Sequence, residues 1–140
     1  MTPQEWTQKE EHYERLVKGI VIMPNISETD IKVLISHIDN ALTEAYFDYA
    51  RAKTAYENSE RREKTFTRDY FVRYKNEGCS DRMADAQAVQ KAETENIYYV
   101  LNETRRRFNF MTAVLNTLNA KREMLITDSG ILKLEASLIQ

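Results

Sequence analysis

Glycine, proline and cysteine are nearly missing from this sequence, with three, two and one in 140 residues. All five glycines and prolines fall outside the long periodic stretches, which points to a chain that is almost entirely helical. The single cysteine, Cys79, excludes an internal disulfide and an all-cysteine metal site, and it is assigned to a turn. Two histidines, His12 and His37, stand too far apart for zinc-ligand spacing and are assigned structural or solvated roles. No run of 18 apolar residues and no basic leader before an apolar block occurs, so a soluble, cytoplasmic protein without a membrane partner is expected. Catalytic signatures are missing as well. There is no glycine-rich phosphate loop, no nucleophile elbow and no histidine-rich metal spacing, so neither an enzyme nor a cofactor is expected. Asp81 and Asp85 lie one turn apart and offer at most a weak Mg²⁺ site. The same pair reads as surface charge at a helix start.

What the chain does have is helical period. From residue 28 to residue 75, apolar or small side chains recur at Ile31, Ile35, Ile38, Leu42, Ala45, Tyr49, Ala52, Tyr56, Phe66 and Tyr70. These steps alternate four and three, a heptad stripe broken only at Ser59 and Glu63. An uninterrupted helix of that length spans about 70 Å and cannot bury its stripe against itself. A second stripe, Ile97, Leu101, Thr104, Phe108, Met111, Leu115, Leu118, Arg122 and Leu125, predicts the partner helix over residues 92 to 126. The two make an antiparallel helical hairpin.

Around that hairpin the smaller pieces are read from their caps. Thr2-Pro3-Gln4-Glu5 starts a helix with a capping box and a proline in its first turn, running to about Lys18 with Gly19 just beyond. Residues 19 to 25 form an apolar linker, extended before Pro24 and with a strand possible. Ser27 and Asp30 begin the main helix, Gly78 ends it, and Ser80 caps a short helix over residues 82 to 89, followed by a kink near residue 90. Asp128-Ser129-Gly130 is expected to break the return helix. A separate tail helix then places Ile131, Leu134 and Leu138 on one face. The expected fold is thus all-α, a long hairpin with a short helix at its turn and small terminal helices. Its divisions are residues 1 to 26 (N-terminal helix and linker), 27 to 127 (hairpin) and 128 to 140 (tail). Tyr46, Phe47, Phe71, Tyr74, Tyr98, Tyr99, Phe110 and Val114 fall outside the seam. A slender hairpin buries little surface alone, so homo-oligomerisation is expected, with the tail contributing to the interface.

Net charge is −2, but the average hides its distribution. Residues 1 to 60 carry 6 basic and 11 acidic groups, whereas residues 61 to 107 carry 11 basic and 8 acidic. A hairpin register placing residue 75 across from residue 90 brings Arg61, Arg62 and Lys64 beside Arg105, Arg106 and Arg107, with Arg68 and Arg73 nearer the turn. Glu60 and Glu63 can pair with Arg105 or Arg106, as an ordinary helix surface would have it, but cannot neutralise the whole cluster. The surplus makes a basic band with Phe66, Tyr70, Phe71 and Tyr74 beside it. A positive groove with stacking side chains is how sequence-neutral proteins hold single strands. Phe66 and Tyr70 belong to the stripe, so Phe71 and Tyr74 are the better stacking candidates.

The order of features from Ala45 to Leu125 resembles the UvsY-like recombination mediators of bacteriophages. The resemblance rests on the Ala/Tyr-rich helix Ala45-Tyr46-Phe47-Asp48-Tyr49-Ala50-Arg51-Ala52-Lys53, then Lys64-Thr65-Phe66-Thr67-Arg68-Asp69-Tyr70-Phe71. A glycine-containing turn, a short helix with Met83 and a long return helix follow. Asp69-Tyr70-Phe71 matches the family's DNA-binding piece. The two basic positions before it align with Thr65 and Thr67, with Lys64 and Arg68 displaced by one. The 26-residue N-terminal extension and the acidic first half depart from the pattern. The resemblance implies a helical, ring-forming protein that binds single-stranded DNA and helps load a RecA-type recombinase onto DNA coated by single-strand binding protein, in the host-cell cytoplasm. The alternative is a phage structural or adaptor protein that assembles through the same apolar surfaces, uses the arginines for pairing between subunits and never touches DNA.

Overall fold

In the computed structural model, which describes residues 1 to 139, four helices follow one another: α1 (Pro3–Gly19), α2 (Glu28–Asn76), α3 (Asp81–Thr94) and α4 (Ile97–Ile139). There is no strand among the described residues, so the fold is all-α. The linker after α1 is irregular, with a turn at Pro24-Asn25.

Caps account for most boundaries. Thr2 Oγ1 accepts from the Glu5 amide while the Glu5 carboxylate accepts from the Thr2 amide, a complete capping box. Ser27 Oγ accepts from the Asp30 amide at 3.1 Å, and Ser80 Oγ from the Met83 amide at 3.3 Å. At the end of α2, Gly78 takes φ +96°. Its amide donates to Lys75 O and that of Cys79 to Tyr74 O, the paired bonds of a Schellman turn.

Two expected breaks lie elsewhere. No kink occurs near residue 90: α3 continues to Thr94, and the chain turns at Asn96, whose φ of 59° is left-handed. Asparagine tolerates that conformation better than most residues, so it ends a helix without glycine or proline. The return helix therefore begins at Ile97 rather than residue 92. Nor does Asp128-Ser129-Gly130 break α4, which runs through to Ile139, so the tail is the end of the long helix rather than a separate one. One interior glycine costs only about 1 kcal/mol, too little to end a helix of this length.

The residues pack as two units. Unit 1 comprises residues 1 to 49 and 110 to 139, that is α1 with the first part of α2 and the second part of α4. Its core is built from Trp6, Tyr13, Ile20, Ile31, Ile38, Leu42, Met111, Leu115, Leu118 and Leu125, all buried, as is Val114, which lay outside the expected seam. Antiparallel pairing of α2 with α4 is fixed by Arg122 Nε on Asp39 Oδ1 at 2.7 Å and Asn119 Nδ2 on the Tyr46 hydroxyl at 3.3 Å. Helix α1 is held by Lys121, whose ammonium donates to the carbonyls of Val17 and Ile20 at 2.7 and 2.6 Å. A cation there satisfies orphan carbonyls at the negative end of the helix.

Unit 1 also hides a charge. Asp48 is 1 % exposed. Its Oδ2 accepts from the Tyr13 hydroxyl at 2.5 Å and lies 3.1 Å from Lys9 Nζ. A buried carboxylate is tolerated only with such partners. Burial foremost, then the hydrogen bond to Asp48 and its charge, with Glu44 adding a smaller push, drive the Tyr13 phenol far above its ordinary pKa. His12 Nε2 lies 3.1 Å from Glu44 at the exposed edge of this cluster.

Unit 2 comprises residues 50 to 109: the second part of α2, all of α3 and the first part of α4. Its buried residues are mostly small. Ala84, Ala88 and Ala92 form one face of α3, alongside Ala52, Ser59, Ile97, Leu101 and Thr104. The heptad run Ile31, Ile38, Ala45, Ala52 and Ser59 is buried at every step. Ser59 Oγ donates to Ala55 O and Thr104 Oγ1 to Val100 O, both at 2.9 Å, so neither hydroxyl is left unpaired in the seam. Across it, Tyr56 stacks on Phe108 with ring centroids 5.5 Å apart.

Candidate nucleic-acid interface

Helix α2 carries its densest positive charge just past Ser59, inside unit 2. The segment stays helical because Glu, Arg and Lys are good helix formers. Local bonds reinforce it: Thr67 Oγ1 donates to Glu63 O at 2.9 Å, and Lys53 pairs with Glu57 one turn on at 3.9 Å. The seam claims the side holding Ser59, Glu63 and Phe66, leaving Arg61, Arg62, Lys64 and Arg68 exposed.

The cations differ in how they are held. Arg61, Arg62 and Lys64 make no ion pair among the described residues. Arg68 lies 3.5 Å from its neighbour Asp69, both well exposed, a contact of little energetic weight. Arg73 sits over the Tyr70 ring at 5.5 Å, with Lys91 near the same ring at 5.7 Å. Arg105 lies over Tyr56, its Nε 3.4 Å from the hydroxyl. Arg106 and Arg107 lie 3.4 and 3.9 Å from Glu103 on their own helix. Of the α4 triplet, Arg105 thus meets α2 at Tyr56, one to two turns before Arg61. Part of the acidic complement gathers elsewhere in the unit: Tyr98 is pushed above its ordinary pKa by partial burial and then by Glu63, Glu93 and Asp85.

Arg61 and Arg62 open onto a concavity of about 390 Å³ that they line with Asn58, Thr65, Phe66 and Asp69. It is shallow and runs along one flank of α2. Lys64, Arg68, Phe71, Arg73, Tyr74 and the α4 arginines lie outside it. Phe71 and Tyr74 are half-buried, and Tyr74 continues a ladder from Phe66 through Tyr70 with centroid steps of 4.6 and 6.0 Å. The aromatic ring that lines the concavity with Arg61 and Arg62 is therefore Phe66, which its stripe position had assigned to the seam. Being half-buried, it serves both.

At the far end of α4, Ile131, Leu134 and Leu138 are exposed, Leu138 by 78 %. Among the described residues no group of three or more His, Cys, Asp or Glu is placed to hold a metal ion. No helix there is long and apolar enough to cross a membrane. The sequence matches no protein-family model, and neither the curated proteins nor the solved structures compared with it give a significant match.

Proposed function

We propose that this protein is a non-enzymatic, oligomeric accessory protein that binds single-stranded DNA, and that it acts as a recombination mediator of the UvsY-like kind. The observation that carries the reading is the concavity on α2, which two arginines without an ion pair among the described residues line together with Phe66. Arg61 and Arg62 hold phosphates there, Lys64 and Arg68 extend the positive field along the helix, and Phe66 offers a base a surface on which to stack. Arg105, Arg106 and Arg107 add field from α4, weakened by Glu103. A single site of this kind is weak. The exposed face of Ile131, Leu134 and Leu138 supports self-association, which repeats the site and turns modest contacts into avidity. The chemistry needs no nucleotide or metal, so ATP use falls to a RecA-type recombinase acting on DNA released from single-strand binding protein.

Replacing Arg61, Arg62, Lys64 and Arg68 by alanine tests the site, by fluorescence anisotropy with a mixed-sequence oligonucleotide across a salt series. The variant keeps its helicity and mass, binds more weakly and shows a flatter salt dependence, because fewer condensed counterions are released. Equal affinity and equal salt slope in the two proteins sink the site. The tail face also suits an adaptor that assembles through apolar surfaces and never meets DNA. That reading takes over if the unaltered protein shows no binding at low salt.

A further inference from the structure

The concavity on α2 is bipolar along the helix axis. Arg61 and Arg62 stand at one end, Thr65 and Phe66 in the middle, and Asp69 at the other, with Asn58 beside the arginines. From Arg62 to Phe66 is one turn, and from Phe66 to Asp69 nearly another, so the arrangement spans about 10 Å. A carboxylate in a phosphate-binding groove is a contradiction if the strand's backbone runs the whole length, since it would repel every phosphate that reached it. The contradiction disappears if each element meets a different part of one nucleotide. The phosphate rests on the arginines, the base lies on Phe66, and the base edge reaches Asp69.

On the proposed reading of this site as a single-strand interface, we infer that the groove prefers guanine. An ionised carboxylate only accepts hydrogen bonds, through two oxygens side by side. Guanine alone among the four bases offers two adjacent N–H donors on its Watson–Crick edge, from N1 and the 2-amino group, and that edge is free in a single strand. Cytosine and adenine present one amino donor next to a ring acceptor. Thymine presents one N–H between two carbonyl oxygens that face the carboxylate unfavourably. The order of preference is guanine first and thymine last. Asp69 is well exposed and its Oδ1 lies 3.5 Å from Arg68 Nε. That contact engages one carboxylate oxygen and leaves the second open. Arg61 and Arg62 supply affinity that is blind to sequence, whereas Asp69 supplies discrimination.

Anisotropy titrations with three equal-length oligonucleotides test this: all thymine, the same strand with isolated guanines, and that strand with hypoxanthine for each guanine. Isolated guanines avoid four-stranded structures, and hypoxanthine keeps N1–H while losing the 2-amino donor. The guanine strand binds about fivefold tighter than the thymine strand, the low end expected for a bidentate contact at an exposed site. Hypoxanthine removes most of that gain. Asp69→Asn abolishes the preference while thymine-strand affinity stays equal or rises, since a negative charge has left the groove. Binding that is equal for all three strands overturns the guanine inference and leaves the single-strand reading standing, as does a preference that survives Asp69→Asn. No binding to any strand overturns both.

Discussion

Unit 1 buries large side chains, among them Trp6, Tyr13, Ile38, Met111 and Leu118, whereas unit 2 closes on Ala52, Ala84, Ala88, Ala92 and the hydroxyl pair Ser59 and Thr104. Their charges differ too. Unit 1 carries 12 acidic and 7 basic side chains, a net of −5, and unit 2 carries 10 acidic and 13 basic, a net of +3. Both are built on the same two long helices, so the heptad stripe alone does not decide what a stretch of helix does. Large seam residues in unit 1 remove much apolar area from water and carry stability. Small seam residues in unit 2 let the helices approach closely. The flank of α2 beyond that narrow seam is free to carry exposed cations. The deepest core and the positive field sit in different places.

That division can be broken most forcefully from unit 1. Leu118 is fully buried, and Leu118→Ala should destabilise by about 2–5 kcal/mol through lost transfer energy and the cavity left behind. In unit 2 the damaging change runs the other way. Ala88 is 1 % exposed, and Ala88→Leu should cost about 1–3 kcal/mol by forcing the helices of the seam apart. Urea denaturation of both variants checks the pair. A harmless Ala88→Leu would show that the seam of unit 2 is loose.

The Tyr13–Asp48 contact sharpens the contrast by pH. The folded phenol is held neutral above its ordinary value of 10.0. Below that pH folded and unfolded chains both keep the proton, and the contribution is fully present. Above it the unfolded chain ionises while the folded one does not, so stability falls as pH rises, by about 1.4 kcal/mol per unit. Tyr13→Phe should lose about 1–3 kcal/mol at neutral pH, because Asp48 loses its donor. It should also lack this share of the alkaline decline. Denaturation midpoints of the two proteins at neutral and alkaline pH would converge if this is right and stay parallel if it is not. The smallest expected effect lies in α4. Nothing stands within 4 Å of a Cβ added at Gly130, so Gly130→Ala should stabilise by about 0.5–1 kcal/mol. A thermal melt that shows no gain would place Gly130 in a frayed segment.

The sequence made α2 legible from end to end, since Ser27, the stripe and Gly78 are all local signals. The α2–α4 register could be read for the same reason: the Tyr56–Phe108 and Tyr46–Asn119 contacts fall within a few residues of it. The turn at Asn96 was missed because an asparagine in left-handed conformation looks like any polar helix residue until the backbone is seen. Asp48 was missed for a different reason. An acid beside Tyr49 in a heptad helix is usually solvated, and only α1, folding in from 35 residues away, makes it a buried partner of Tyr13. For the basic cluster, sequence located the charges but not their company. Which arginines lie over tyrosines, which share Glu103 and which line a concavity with Phe66 depends on side-chain directions that spacing leaves open.

The two units also differ in how their residues are distributed along the chain, and that bears on the order of events during synthesis. Unit 2 is one continuous stretch, and its contact between Tyr56 and Arg105 spans 49 residues. Unit 1 is assembled from both ends, and the bond from Lys121 to Val17 spans 104. Closing the longer loop costs more entropy, and it must wait until Lys121 has left the ribosome. Trp6, Tyr13 and Ile38 therefore wait, during translation, for the α4 portion of their unit to be made. Pulse-labelled hydrogen exchange during refolding should show amides of residues 50 to 109 protected before those of α1. Simultaneous protection would mean that the two units fold as one.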